Sequence, residues 1–246
     1  GQKVKRAAPG GEGYVLDHFN MKVFAGYTQQ FVPLLKKSHS PLRALYNDSY
    51  EVYGANYTPD FFKAFQQLNG YDIREHLDVL AKESASSDGE NQIWADYHRT
   101  LEQLLLHQFV NPFADWITSM GFQSRNQAHG SPGNLIDIYA AVDIPETEFF
   151  GSKPFTIPGY QVDPEYDSTT FGIPDIRALK LASSAANLTG KKLVSAETAT
   201  WLGNHFKVSI AQVKPVLDQV FVGGVNHVFF HGATYSPPEI AWPGWL

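Results

Sequence analysis

The chain has 246 residues, 43% hydrophobic and 14% aromatic, with a formal charge of −6. That suffices for one large domain with a substantial core, while the acidic balance and the lack of any Lys/Arg block exclude a nucleic-acid footprint. With no cysteine there is no disulfide framework or thiolate site, and no run of about eighteen apolar residues marks a membrane span.

Residues 13–19 (GYVLDHF) read as a buried strand ending in Asp17 and His18. A helical pattern follows, with Phe24, Phe31, Leu34 and Leu35 apolar, and ends near Ser40-Pro41. Residues 42–46 are the next strand, running into Asn47-Asp48-Ser49-Tyr50-Glu51. Thr58 as N-cap and Pro59 at the first helical position predict a helix with Phe61, Phe62, Phe65 and Leu68 on one face, ended by Gly70. Residues 92–120 carry one long apolar period, kinked at Pro112 and ended by Gly121.

A short strand at 122–128 precedes His129-Gly130, and 135–141 read as one or two helical turns. Residues 144–150 (IPETEFF) form a strand carrying Glu146 and Glu148, of which one is expected to face the functional side and the other to turn away. Residues 152–172, rich in Pro, Gly, Tyr and Asp, read as a long surface loop. A helix over 174–188 starts on Pro174 and has Gly190 beyond its end. In 191–202 (KKLVSAETATWL) a short buried strand at Leu193-Val194 presents Glu197 at its end. Ser209 to Gln212 fit a capping box, Ile210, Val213, Leu217 and Val220 give the next buried stripe, and 227–231 (HVFFH) are the last strand.

Six strands alternating with helices predict an α/β class with a parallel sheet. No glycine fingerprint follows the first strand and no GxxxxGK[ST] occurs, which disfavours nucleotide-binding open sheets. Every strand instead ends in polar groups: Asp17/His18, Asp48/Glu51, Asn126/His129, Glu146/Glu148, Glu197, His231. A (β/α)8 TIM-type barrel gathers such ends on one rim. Six βα units fall short of eight, and the chain opens on GQKVKRAAPGGEG rather than on Met and a signal peptide. The expectation is a catalytic barrel over 1–246, truncated on its N-terminal side, with the open strand edges aggregation-prone in isolation.

An acidic residue at the end of a buried strand is costly unless paired or used. Glu51 and Glu197 both occupy such positions, on the fourth and seventh strands of a barrel lacking its first two. Two carboxylates amid aromatics suit glycoside cleavage, one protonating the leaving oxygen while the other activates water or attacks the anomeric carbon. Two carboxyl groups about 6.5–9.5 Å apart would mean inversion, and about 5–5.5 Å retention. His129 and His231 lack metal-ligand spacing and are equally well read as sugar-hydroxyl donors or core histidines. Asn47, Asn56 and Asn187 lie in N-x-[ST] sequons, read as coincidence. A non-catalytic carbohydrate-binding barrel would not need both glutamates, and a barrel lyase would want a strand-end lysine, which is absent.

The segments GQKVKRAAPGGEGYVLDHF, NDSYEVYGANYTPDFFKAFQQLNGYD, RNQAHGSPGNLIDIYAAVDIPETE, SAETATW and HGATYSPPEIAWPGW resemble the catalytic barrel of the α-L-rhamnosidases of glycoside hydrolase family 106 over nearly the whole chain. The resemblance implies an inverting hydrolase that removes terminal α-L-rhamnose from oligo- or polysaccharides in an extracytoplasmic (periplasmic or secreted) setting. It implies Glu51 as acid and Glu197 as base; the polar strand ends and the last loop offer Asp17, His18, Asn126, His129, His231, Tyr235 and Trp242 as candidate substrate contacts. It further implies an active-site calcium, for which Glu146 and Glu148 are the candidate oxygen ligands. A salt bridge to a neighbouring Lys or Arg is the competing role for those two.

Overall fold

Parallel strands separated by helices make up both halves of the chain, in keeping with the expected α/β class. The computed structural model describes residues 2–5, 7, 9–37, 42–52, 54–151, 174–200, 202, 208–232 and 238–241. Two compact units are formed, Gly1–Val142 and Asp143–Leu246.

In the first unit, α1 (Met21–Thr28) starts where the Asn20 side chain accepts the Lys22 N–H at 3.1 Å. After α2 (Val32–Lys37), β1 (Ala44–Asn47) pairs in parallel with β2 (Gln123–Gln127), placing Asn47 opposite Asn126. The crossover that parallel pairing demands contains α3 (Phe61–Asn69), α4 (Leu77–Leu80), α5 (Asp88–Leu105) and α6 (Asn111–Ser119). Its core is aromatic and aliphatic: Phe61, Phe65, Leu101, Leu105, Phe109 and Ile117 are all buried. Phe61 reaches Tyr97 of α5 at 5.5 Å between ring centroids, edge to face. A last helix, α7 (Leu135–Ala140), follows β2.

Three expectations are corrected here. Residues 13–19 form no strand of a parallel ladder. Tyr14 makes an isolated antiparallel bridge to Lys3, and the Asp17 carboxylate then turns the chain by accepting the Phe19 N–H at 2.9 Å. Thr58 does not cap α3; its hydroxyl donates to Asp17 Oδ2 at 2.8 Å, and Asp60 stands at the cap position. The long helix is not one α-helix kinked at proline. It passes through a π segment, Leu106–Val110, immediately before Pro112. Proline lacks an N–H and its ring crowds the carbonyl four residues back, a conflict that the wider turn accommodates.

In the second unit, β3 (Ile144–Phe150), β4 (Ser195–Thr200) and β5 (His227–Phe230) pair in that order, all parallel. Between them run α8 (Ile176–Thr189) and α9 (Ile210–Val222). The buried side of α8 is built from Leu179, Ala182, Ser183, Ala185 and Ala186. Small residues there let the helix approach closely, and Thr147 of β3 donates to the Ala178 carbonyl at 3.1 Å. Gly223 and Gly224 close α9 against α8. A Cβ on Gly223 would lie 2.6 Å from Leu179, and Gly224 adopts φ +96 beside Ser183. The capping box of Ser209 and Gln212 forms as expected.

The strand expected at Leu193-Val194 is displaced: β4 begins at Ser195, so Glu197 lies within it rather than at its end. Asn226 secures this start, accepting the Val194 N–H at 2.9 Å and donating to the Lys192 carbonyl at 2.8 Å. Among the described residues there are five strands, not the six expected. The long loop expected at 152–172 lies outside the described residues.

Candidate active site

Register decides the chemistry of the second unit. Glu146 stands opposite Ser195 and Glu148 opposite Glu197, with Glu197 opposite Phe229 on the far side. Residues two apart on a strand share a face, so both β3 glutamates face the same way, contrary to the expected split, and differ in depth. Glu146 is fully buried, and Ser195 Oγ donates to its Oε2 at 2.6 Å. Glu148 and Glu197, one step further along, are half-buried.

His231, just past β5, completes a cluster. One donor atom each from Glu148, Glu197 and His231 lie within 4.8 Å of one another. His231 Nδ1 stands 3.2 Å from Glu197 Oε1, and its backbone N–H is fixed by the Thr198 carbonyl at 2.9 Å. A carboxylate only accepts, so the hydrogen of this contact belongs on Nδ1. Thr200 Oγ1 is a further 3.2 Å neighbour of the same nitrogen. Its presence depends on a bulge. Phe149 pairs with Thr198 but Phe150 with Thr200, and Ala199 takes the extra position at φ +68. The inserted residue returns Thr200 to the side of Glu197. A non-glycine residue in left-handed conformation is strained by about 1–2 kcal/mol.

In the first unit, Glu51 follows β1 in a loop whose shape is set by its own polar residues. Asp48 Oδ1 accepts from the Ser49 N–H at 2.8 Å and the Tyr46 hydroxyl at 3.0 Å. The Tyr50 N–H donates to the His129 carbonyl at 2.8 Å, tying this loop to the one after β2. The Glu51 side chain is exposed and forms an ion pair with Lys5 at 2.9 Å. Asn126 is fully buried and accepts from Asn47 Nδ2 at 2.7 Å, while its own Nδ2 has no partner among the described residues. Asp17, whose carboxylate serves Phe19 and Thr58, has a folding role in hand already.

His18 packs edge-on against Phe109 at 4.6 Å and tilted against Tyr50 at 5.2 Å. Burial lowers its pKa to about 4, against a smaller opposing pull from Asp17 and a backbone bond to Leu16. Burial likewise drives the Tyr50 phenol far above its usual range. Both rings line a pocket of about 380 Å3 in this unit.

Of the residues singled out from sequence, Glu148, Glu197 and His231 are brought together, whereas Glu146 lies in the buried layer next to Ser195. Asp17 and His18 share the first unit's pocket. Tyr235 and Trp242 lie outside the described residues. Ser195, Thr200 and Tyr50 were not singled out. Ser195 and Thr200 flank Glu197 at i−2 and i+3, and only knowledge of the bulge puts the second on its face.

Calcium takes six to eight oxygens at about 2.3–2.6 Å. Glu148 and Glu197 supply carboxylate oxygens in one place, but the third donor is an imidazole nitrogen, which suits zinc or other transition metals better. The donor set thus fits calcium through its carboxylates only.

A protein of Formosa agariphila, provisionally named a beta-glucuronidase, is 28% identical over 251 residues, covering 99% of this chain and 20% of its own length. The solved structure of a rhamnosidase from Novosphingobium sp. PP1Y matches with a TM-score of 0.74 at 25% identity, over 95% of this chain and 22% of that one. The chain therefore spans about a fifth of the length of these relatives. The family model for alpha-L-rhamnosidase, glycoside hydrolase family 106, matches residues 1–246 from end to end. With carboxylates on neighbouring parallel strands and that match over its full length, the chain belongs to glycoside hydrolase family 106.

Proposed function

We propose that this chain is part of the (β/α)8 catalytic barrel of an enzyme that releases terminal α-L-rhamnose from oligo- or polysaccharides with inversion. The observation that carries the reading is Glu197, a half-buried carboxylate held by His231 beside Glu148, in a chain of the rhamnosidase family. Parallel strands alternating with helices in each unit support the barrel.

Glu51 acts as general acid and gives its proton to the leaving glycosidic oxygen. Glu197 acts as general base and takes a proton from water as that water attacks the anomeric carbon from the opposite face. His231 holds the Glu197 carboxylate in one orientation, and the Ala199 bulge supplies Thr200 as a second fixed neighbour of that imidazole. Bound calcium would neutralise charge and orient sugar hydroxyls; Glu148 is the residue that would hold it without removing the base. A polysaccharide substrate is too large to cross a membrane intact, which favours a periplasmic or secreted location. No helix among the described residues is long and apolar enough to cross a membrane.

The name of the Formosa relative favours a second reading, cleavage of a glucuronide. Assay of the full-length protein on aryl α-L-rhamnosides and aryl β-glucuronides separates the two. Rhamnoside turnover lowered at least about a hundredfold in both Glu51→Gln and Glu197→Gln is expected, with proton NMR showing the inverted anomer first. Turnover of the glucuronide alone, or variants as active as the parent, would refute the proposal.

A further inference from the structure

Residues near the start of the chain grip the loop that carries Glu51. Residues 2–5 run antiparallel to residues 13–15. Lys3 bridges Tyr14, the Val4 N–H donates to the Gly13 carbonyl at 3.0 Å, and the Val15 N–H donates to the Gln2 carbonyl at 2.8 Å. This pairing positions two side chains that reach 49 and 46 residues along the chain. Gln2 Nε2 donates to the Glu51 carbonyl at 3.2 Å, and Lys5 Nζ donates to Glu51 Oε1 at 2.9 Å. Both the backbone of Glu51 and one of its carboxyl oxygens are therefore held from a single segment. The adjacent Tyr50 N–H is secured separately, by the His129 carbonyl at 2.8 Å.

We propose that Lys5 is a positioning residue for the general acid, fixing the Glu51 carboxyl and stabilising the charge that forms on it as its proton departs. The inference rests on the glycosidase reading above and adds a residue to its acid step. An ammonium group only donates, so with Oε1 taken by Lys5 the proton to be delivered sits on Oε2. As the glycosidic bond breaks, that proton passes to the leaving oxygen and a full negative charge is left on Glu51. Lys5 keeps its own protons and meets this charge with a hydrogen bond already in place. The contact is stronger after proton transfer than before it, and interactions of that kind raise kcat rather than substrate affinity. The two side chains are 48% and 42% exposed. An ion pair so exposed adds little to folding stability, and solvent screening holds its effect on the acid step to about tenfold.

The test compares leaving groups. The full-length protein and its Lys5→Met and Lys5→Arg variants are assayed on phenyl and 2,4-dinitrophenyl α-L-rhamnosides. A phenolate needs a proton to leave, whereas a dinitrophenolate leaves without one. Lys5→Met should lower kcat about tenfold on the phenyl rhamnoside and less than about twofold on the dinitrophenyl rhamnoside, with KM little changed. Lys5→Arg keeps the charge and the donor, and should restore kcat to within about threefold of the parent. Thermal melts confirm that each variant is folded. Equal losses on the two substrates, a change in KM alone, or no loss at all would overturn the role of Lys5. The loss in Glu51→Gln should be graded by leaving group in the same way, which separates the two proposals. A graded Glu51→Gln beside an ungraded Lys5→Met removes Lys5 and leaves the acid standing. An ungraded Glu51→Gln removes the acid, and Lys5 with it.

Discussion

His18 should make the first unit acid-labile in a defined window. In the unfolded chain its imidazole titrates near 6.5, and in the folded unit burial brings this to about 4. Between these values the unfolded state holds the proton and the folded state does not. Stability therefore rises with pH from about 4 to 6.5 and is level above. The full shift corresponds to about 3 kcal/mol, of which about 2 kcal/mol falls between pH 7 and 4.5. His18→Phe retains an aromatic ring against Phe109 and Tyr50 but has nothing to titrate. Thermal melts of parent and variant at pH 7 and 4.5 should diverge on acidification, the parent losing about 5–8 °C more than the variant. NMR of the imidazole carbons, assigned by the resonance missing in His18→Phe, reads the midpoint directly among nine histidines. A His18 midpoint above about 6, or equal acid losses in the two proteins, would refute the argument.

Three further outcomes are expected. His231→Ala should lower kcat for the rhamnoside by about 10–100-fold with little change in KM, and His231→Gln, which still offers an N–H to Glu197, should recover part of it; a pure KM effect would mean that His231 binds sugar instead. Calorimetry without substrate should detect calcium binding to the full-length protein and a weaker constant in Glu148→Gln, and indistinguishable titrations would remove Glu148 from the ligand set. Gly223→Ala drives a methyl to 2.6 Å from Leu179 and should cost about 1–3 kcal/mol, seen as a lower denaturant midpoint; an unchanged midpoint would show that α8 and α9 can separate freely.

What was legible in the sequence is what neighbours along the chain decide among themselves. Gly70 and Gly190 end their helices with φ +83 and +69, because a left-handed residue is what a helix C-terminus requires. The Ser209–Gln212 box spans only four residues. Alternation of 3.6- and 2-residue periods placed β3, β5 and most helices, and the carboxylates of 144–150 and 191–202 stood out as acids in strand sequences. Everything that depended on a distant segment was decided by tertiary structure. Thr58 left the helix start for Asp17, 41 positions away. The 13–19 segment found Lys3 rather than a parallel neighbour. Glu146 and Glu148 read alike in sequence, yet register gave one to buried Ser195 and the other to Glu197 and His231. Local signals act within one turn or one pleat, whereas register, desolvation and the partner of a buried charge are properties of whichever strand arrives alongside.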